Sequence, residues 1–132
     1  MKPTNEYSRL ACVIDDDQLF LSLAKKLITV KNFCDDVLVF KSGEEALQFF
    51  KNKKCIPDVI LLDLNMPVMD GWDFLNEFNY LKKESSKKVN LYIVSSSEDP
   101  YDYDKAKATD AVHDYISKPI TIPVFEQIFS VA

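Results

Sequence analysis

Asp63 closes an apolar run, Pro57-Asp-Val-Ile-Leu-Leu-Asp63, and opens a turn-rich segment, Leu64-Asn-Met-Pro67-Val-Met-Asp-Gly71. A second acidic group, Asp15-Asp16-Asp17, follows another short apolar run, Leu10-Ala-Cys-Val-Ile14. Short aliphatic runs bounded by turn residues read as buried strands of a parallel sheet. Open α/β sheets bind ligands beyond the carboxyl ends of such strands. Carboxylates gathered there repel and raise one another's pKa values. Mg²⁺ relieves the repulsion, because it takes oxygen ligands from one or two carboxylates, water and a phosphate oxygen. Asp15, Asp16 and Asp63 are therefore candidate metal ligands, and the backbone carbonyl of Asn65, in the turn after Asp63, is a candidate to join them. Ser95 ends a fourth apolar run and Lys118 follows a fifth, so a hydroxyl and a long cation could each meet a phosphoryl oxygen. A loose, anionic phosphoryl-transfer transition state is stabilised by charge positioned in this way. Asp63 is the candidate nucleophile, since a carboxylate can form an acyl phosphate.

These side chains need a scaffold, and strand and helix patterns alternate along the chain. Leu10–Ile14 reads as a strand. Gln18–Lys31 reads as a helix with Leu19, Leu23, Leu27 and Val30 at helical spacing, a stripe widened by Phe20, Ala24 and Ile28. Asp36–Phe40 is a short strand. Ser42, with Glu45 three residues on, predicts a capping box for a helix through about residue 52. Asp58–Leu62 is the central strand, and a helix from about Gly71 to Lys82 carries Trp72, Leu75 and Phe78 on one side. Val89–Val94 is the fourth strand, and Asp99-Pro100 marks the start of a helix reaching about Thr109. His113–Ile116 is the fifth strand. A short last helix from Ile122 or Pro123 carries Val124, Phe125, Ile128 and Phe129. Five βα repeats imply an α/β fold, a five-stranded parallel sheet with helices on both faces.

The totals narrow the class. The chain has 132 residues, which fits a single domain spanning 1–132 with a core of about 8–130. A formal net charge of −5 argues against nucleic acid or an anionic membrane as partner. No apolar run approaches the roughly 20 residues that span a bilayer, and the N-terminal residues lack a signal-peptide core. The 3 cysteines have no metal-binding spacing, and Cys12 reads as a small core residue. A cytoplasmic protein with reduced thiols is the expectation. His113 is the sole histidine, which excludes an internal relay from a second histidine site.

Val13-Ile-Asp15-Asp16-Asp17, Asp63-Leu-Asn-Met-Pro67-Val-Met-Asp-Gly71, Ile93-Val-Ser95-Ser96 and Tyr115-Ile-Ser-Lys118-Pro119 resemble the receiver domain of two-component response regulators. The resemblance runs from about Leu10 to Phe129. It implies a flavodoxin-like strand order, 2-1-3-4-5, which sets strands one and three side by side. It implies Mg²⁺ on Asp15, Asp16, Asp63 and the Asn65 carbonyl, with Asp63 taking a phosphoryl group from a histidine kinase or histidine phosphotransfer protein. Ser95 and Lys118 would contact the phosphoryl oxygens, and Lys118-Pro119 would be a cis peptide. Ser95 and Tyr115 match the family's switch pair. The Ser95 hydroxyl would move toward the new charge of about −1.5 to −2, and the Tyr115 ring would turn inward, remodelling the face made by helix four, strand five and helix five. A full switch needs about 5.5 kcal/mol of preference for the active form. The implied role is signalling by binding an output protein whose identity the sequence leaves open; the domain would not be an enzyme beyond its own phosphorylation and dephosphorylation.

Some positions depart from the family. Ala111-Val112-His113-Asp114 replaces the usual small Gly-Ala step, and Ser96 replaces the usual Ala. No output domain is recognisable, so a stand-alone receiver is expected. Family members often dimerise through helix four, strand five and helix five, a habit that the short last helix weakens here. Two other functions compete. Aspartyl-nucleophile phosphatases want an acid/base Asp two residues after the nucleophile, where this chain has Asn65. A phosphate-independent adaptor would have no use for the acidic pair, Asp63 and Lys118. Flavodoxin-like cofactor binding lacks a Gly-rich phosphate loop, because Gly43 and Gly71 are the only glycines.

Overall fold

The chain folds into five successive βα units: β1 (Leu10–Ile14), α1 (Gln18–Val30), β2 (Asp36–Phe40), α2 (Gly43–Lys53), β3 (Val59–Leu62), α3 (Gly71–Lys82), β4 (Asn90–Ser95), α4 (Pro100–Ala108), β5 (Val112–Ser117) and α5 (Ile122–Ser130). The structure is a computed structural model that describes residues 9–130; residues 1–8, read above for their lack of a signal core, and residues 131–132 lie outside the described residues. All strand pairs are parallel, in the order β2-β1-β3-β4-β5. This is the order that the resemblance implied.

Strand pleating divides the core into two layers, because successive side chains point to opposite faces. Cys12, Ile14, Ile60, Leu62, Leu91 and Ile93 pack with α2, α3 and α4. Ala11, Val13, Val59, Leu61, Tyr92 and Val94 pack with α1 and α5. Phe50, Phe74 and Phe78 fill the first layer, with Phe74 and Phe78 stacked at 5.6 Å between ring centroids. Phe33 stacks on Phe129 at 5.4 Å and ties α5 to the second layer. At the amino end of the sheet, Asp58 accepts a hydrogen bond from the Leu10 backbone N–H at 2.6 Å and lies 3.3 Å from the Lys87 ammonium. That clasp helps hold the relative register of β1 and β3.

The face that α1 buries differs from the expected stripe. Leu21, Ala24 and Ile28 are buried, whereas Leu19, Leu23 and Val30 remain 69%, 58% and 70% exposed. The helix is apolar on more than one side, so spacing alone permits two overlapping stripes. Packing against β1, β3 and α5 selects the one through Ala24 and Ile28. Asp17 caps this helix, accepting from the backbone N–H groups of Leu19 and Phe20.

Other local readings also shift. Ser42 does cap α2, accepting from the Glu45 N–H at 3.2 Å, but the reciprocal capping box forms at α3, between Asp70 and Asp73. Strand β5 extends beyond His113–Ile116 at both ends. A bulge pairs Leu91 with Val112 and Tyr92 with Asp114, leaving His113 as the extra residue. The segment without a Gly-Ala step is thus absorbed as a bulge at the start of the strand.

The reassigned α1 face predicts the outcome of a paired substitution. Ile28→Ala should destabilise the domain by about 2–5 kcal/mol, while Leu23→Ala should stay within about 0.5 kcal/mol of wild type. Urea denaturation of both variants measures the difference.

Candidate functional site

Register places the acidic groups side by side. Ile14 pairs with Leu62, so Asp15 and Asp63 leave neighbouring strands at the same level. The Asp63 N–H continues the ladder by donating to the Ile14 carbonyl at 3.0 Å. Asp15 and Asp63 are buried and Asp16 is exposed, and one carboxylate oxygen from each lies within 4.8 Å of the others. Asp15 is held from three directions: its N–H donates to the Phe40 carbonyl, its Oδ1 accepts from the Asp17 N–H, and its Oδ2 accepts from the Lys118 ammonium at 2.7 Å.

The β4–β5 register brings in the other half. Ser95 pairs with Ser117, so Lys118 emerges beside it and donates its backbone N–H to the Ser95 carbonyl at 3.0 Å. The Lys118 ammonium lies 3.9 Å from Asp63 Oδ1, and the Lys118-Pro119 peptide is cis. Ser95 is fully buried, the last residue of its strand rather than the first after it. Its hydroxyl oxygen accepts from the Ser97 N–H at 3.0 Å and from the Asn65 side-chain amide at 3.4 Å. With both of those bonds accepted, the hydroxyl hydrogen is free to donate.

Electrostatics leave the site underneutralised. Burial pushes the Asp63 carboxyl up to about 6, helped by the Asp15 charge. The Lys118 ammonium and the Asn65 backbone N–H pull the other way, and Asp16 adds a smaller upward push. A lone ammonium facing a buried carboxylate pair and a third carboxylate at the rim leaves net negative charge. The donor set is all carboxylate oxygen, which fits a hard divalent cation.

The sequence model described as "Response regulator receiver domain" matches residues 11–129. The chain belongs to this family. A solved response regulator receiver protein from Dyadobacter fermentans superposes with a TM-score of 0.81 at 26% identity, covering 94% of this chain and 97% of that one. The Mn²⁺-bound form of the response regulator Rcp1 shares the fold at a TM-score of 0.73 and 19% identity, covering 93% of this chain and 91% of that one. Among curated proteins, the chain is 28% identical over 122 residues to hybrid signal transduction histidine kinase I of Dictyostelium discoideum, covering 89% of this chain but spanning only 7% of that relative's length. Receiver domains are the phosphorylation-based signalling switches of two-component systems and accept phosphoryl groups from histidine kinases or phosphotransfer proteins. Among the described residues, no helix is long and apolar enough to cross a membrane.

Asp15, Asp16, Asp63, Asn65, Ser95 and Lys118 lie together at this end of the receiver's sheet, whereas His113 stands at the start of β5; Asn65 and Tyr115 make further contacts. Asn65 presents its backbone N–H to Asp63 and its side-chain amide to Ser95. Tyr115 is half-buried against the core, donates its hydroxyl to the Ser97 carbonyl at 3.1 Å, and meets the Tyr103 ring edge-on at 5.7 Å. Its ring is therefore already tethered to the loop after β4.

Three contributors escaped sequence reading. A Cβ on Gly71 would stand 2.7 Å from the Asp63 carbonyl oxygen and 2.9 Å from the Leu64 Cα, so only glycine lets α3 start this close to the acidic loop. The Gly71 N–H seals that approach by donating to the Leu64 carbonyl at 2.9 Å. Phe20 places its ring 4.6 Å beneath the Lys118 ammonium, a cation–π contact that shields one side of the pair with Asp15. Val68 holds φ at 69° while 93% exposed, in a γ-turn closed by the Met69 N–H on the Pro67 carbonyl. A β-branched residue there is strained. The Asp-Gly pair at 70–71 was the only sequence signal for any of the three.

Two outcomes follow from this geometry. Gly71→Ala should cost about 1–3 kcal/mol of stability through the backbone clash, and it should weaken Mg²⁺-dependent stabilisation, both read by thermal melts with and without Mg²⁺. A carboxyl whose folded pKa is raised contributes stability that is fully present below its unfolded value of about 3.9 and is lost as pH rises through about 6. In the absence of divalent cations, Asp63→Asn should therefore be more stable than wild type at pH 7.5, by on the order of 2 kcal/mol. The gap should close between pH 6 and pH 4, as denaturation at each pH would show.

Proposed function

We propose that this receiver domain is a signalling switch that takes a phosphoryl group on Asp63 from the phosphohistidine of a histidine kinase or phosphotransfer protein. The observation that carries this reading is the convergence of Asp15, Asp16 and Asp63 within 4.8 Å, with the Lys118 ammonium 2.7 Å from Asp15 and 3.9 Å from Asp63. An Asp63 carboxylate oxygen attacks the donor's phosphorus, a P–O bond forms, and the donor's P–N bond breaks. The departing imidazole keeps the electron pair and takes a proton from solvent. The Lys118 ammonium balances charge on one phosphoryl oxygen and the Ser95 hydroxyl donates to another. Hydrolysis reverses the state when water attacks phosphorus and the Asp63–phosphoryl bond breaks, releasing inorganic phosphate.

Mg²⁺ bound by Asp15, Asp16, Asp63 and the Asn65 carbonyl would supply the positive charge that a lone lysine cannot, consistent with the Mn²⁺-bound relative. Before transfer, Asp15 holds the ammonium in place through its 2.7 Å bond, and the Phe20 ring lies 4.6 Å from it. After transfer, the Ser95 hydroxyl and the Tyr115 tether to Ser97 form the switch elements, and the face of α4, β5 and α5 is the output surface.

Incubation with acetyl phosphate and Mg²⁺ followed by intact-mass measurement tests the reading. One phosphoryl adduct should form, require Mg²⁺, and vanish in Asp63→Asn. Equal binding of an output partner by wild type and Asp63→Ala, with no adduct in either, would replace the switch with a phosphate-independent adaptor.

A further inference from the structure

Ser97 makes four hydrogen bonds that lead in three directions. Its N–H donates to the Ser95 hydroxyl at 3.0 Å, and its carbonyl accepts from the Tyr115 hydroxyl at 3.1 Å. Its own hydroxyl donates to Asp102 Oδ2 at 2.8 Å and accepts from the Asp99 N–H at 3.2 Å. The Tyr115 branch serves the switch described above. The Asp102 branch runs elsewhere, because Asp102 Oδ1 accepts from the Trp72 indole N–H at 3.4 Å. Trp72 sits in the first turn of α3, next to Gly71, and the Lys105 ammonium of α4 lies 4.6 Å over its ring. The same ammonium lies 5.6 Å over Tyr101, an exposed aromatic at the start of α4.

We infer that Ser97 is a positioning residue coupling the Ser95 hydroxyl to Trp72 through Asp102, so that the seam between α3 and α4 reports the state of Asp63 alongside the Tyr115 face. This rests on the phosphoacceptor reading. The Ser95 oxygen already accepts twice, and its hydrogen awaits an acceptor. A phosphoryl group on Asp63 supplies one. When Ser95 turns to reach it, the Ser97 N–H loses or lengthens its bond, and Ser97 must shift. Its hydroxyl bond to the Asp102 carboxylate, at 2.8 Å, is charge-assisted, so the shift is passed on rather than absorbed. Asp102 is half-buried in the first turn of α4, with its second oxygen committed to Trp72. A displacement there changes the indole's hydrogen bond and the seating of Lys105 on the ring. If these bonds served only to hold the N-terminus of α4, they would be indifferent to the state of Asp63.

The chain contains 1 tryptophan, which makes its emission an unambiguous reading of this path. The full chain is treated with Mg²⁺ and acetyl phosphate, and Trp72 emission is recorded beside intact mass. Wild type should show an emission change that grows in step with the adduct. At matched adduct occupancy that change should be lost in Ser97→Ala and in Asp102→Ala, and retained in Ser97→Thr, which keeps the hydroxyl. An adduct without an emission change in wild type would overturn the coupling, as would an undiminished change in both alanine variants. Absence of any adduct in wild type would overturn the phosphoacceptor reading, and the coupling with it.

Discussion

Repulsion between carboxylates held in fixed register is the constraint on which this domain depends. The pairing that closes the core, Ile14 against Leu62, carries Asp15 and Asp63 out of adjacent strands into a buried space. Neither can move away without breaking the ladder bond from the Asp63 N–H to the Ile14 carbonyl. Asp15 is the settled member, fixed by Asp17, Phe40 and Lys118. Asp63 is the unsettled one, its carboxyl raised to about 6. A side chain that is poorly neutralised in the resting fold gains most from a cation. On the proposed reading, fold stability and reactivity are opposed at one residue, as expected of sites where function is built on local destabilisation.

The scaffold confines that tension. At the opposite end of the sheet, Asp58 binds the Leu10 N–H and Lys87, so the strands cannot slide to separate the carboxylates. On the other side, α3 begins so close to the Asp63 loop that Gly71 has no room for a Cβ. Between these fixed points lie the connections with room to adjust: the turn through Val68, held at positive φ, and the loop after β4, whose Ser97 is bonded to Ser95, Asp99, Asp102 and Tyr115. Charge added at Asp63 meets rigid strands on one side and multiply bonded loops on the other.

Much of the site was legible in the sequence because it is local. Each key residue ends or follows a short apolar strand, and strand ends are marked by abrupt changes of residue type. Register then did what a single sequence does not display, setting Asp15 beside Asp63 and Lys118 beside Ser95. The buried face of α1 was not legible, since Leu19, Leu23, Ala24 and Ile28 offer two apolar stripes and only tertiary packing chooses between them. Ser97 stands third in a run of three serines, with nothing in its neighbours to set it apart. Its importance comes from contacts with residues 5 and 18 positions away, which no local pattern encodes. The bulge at His113 was hidden for a similar reason, being a property of the β4–β5 pairing rather than of either strand.

The central claim is that Asp63, among several acidic neighbours, is the residue that forms the acyl phosphate. Borohydride reduces an aspartyl phosphate to homoserine, which tandem mass spectrometry can place in the chain. After treatment with acetyl phosphate and Mg²⁺, the account predicts homoserine at position 63 and unchanged aspartate at Asp15, Asp16 and Asp17. Homoserine at any of those three, or at none of the four, would contradict it.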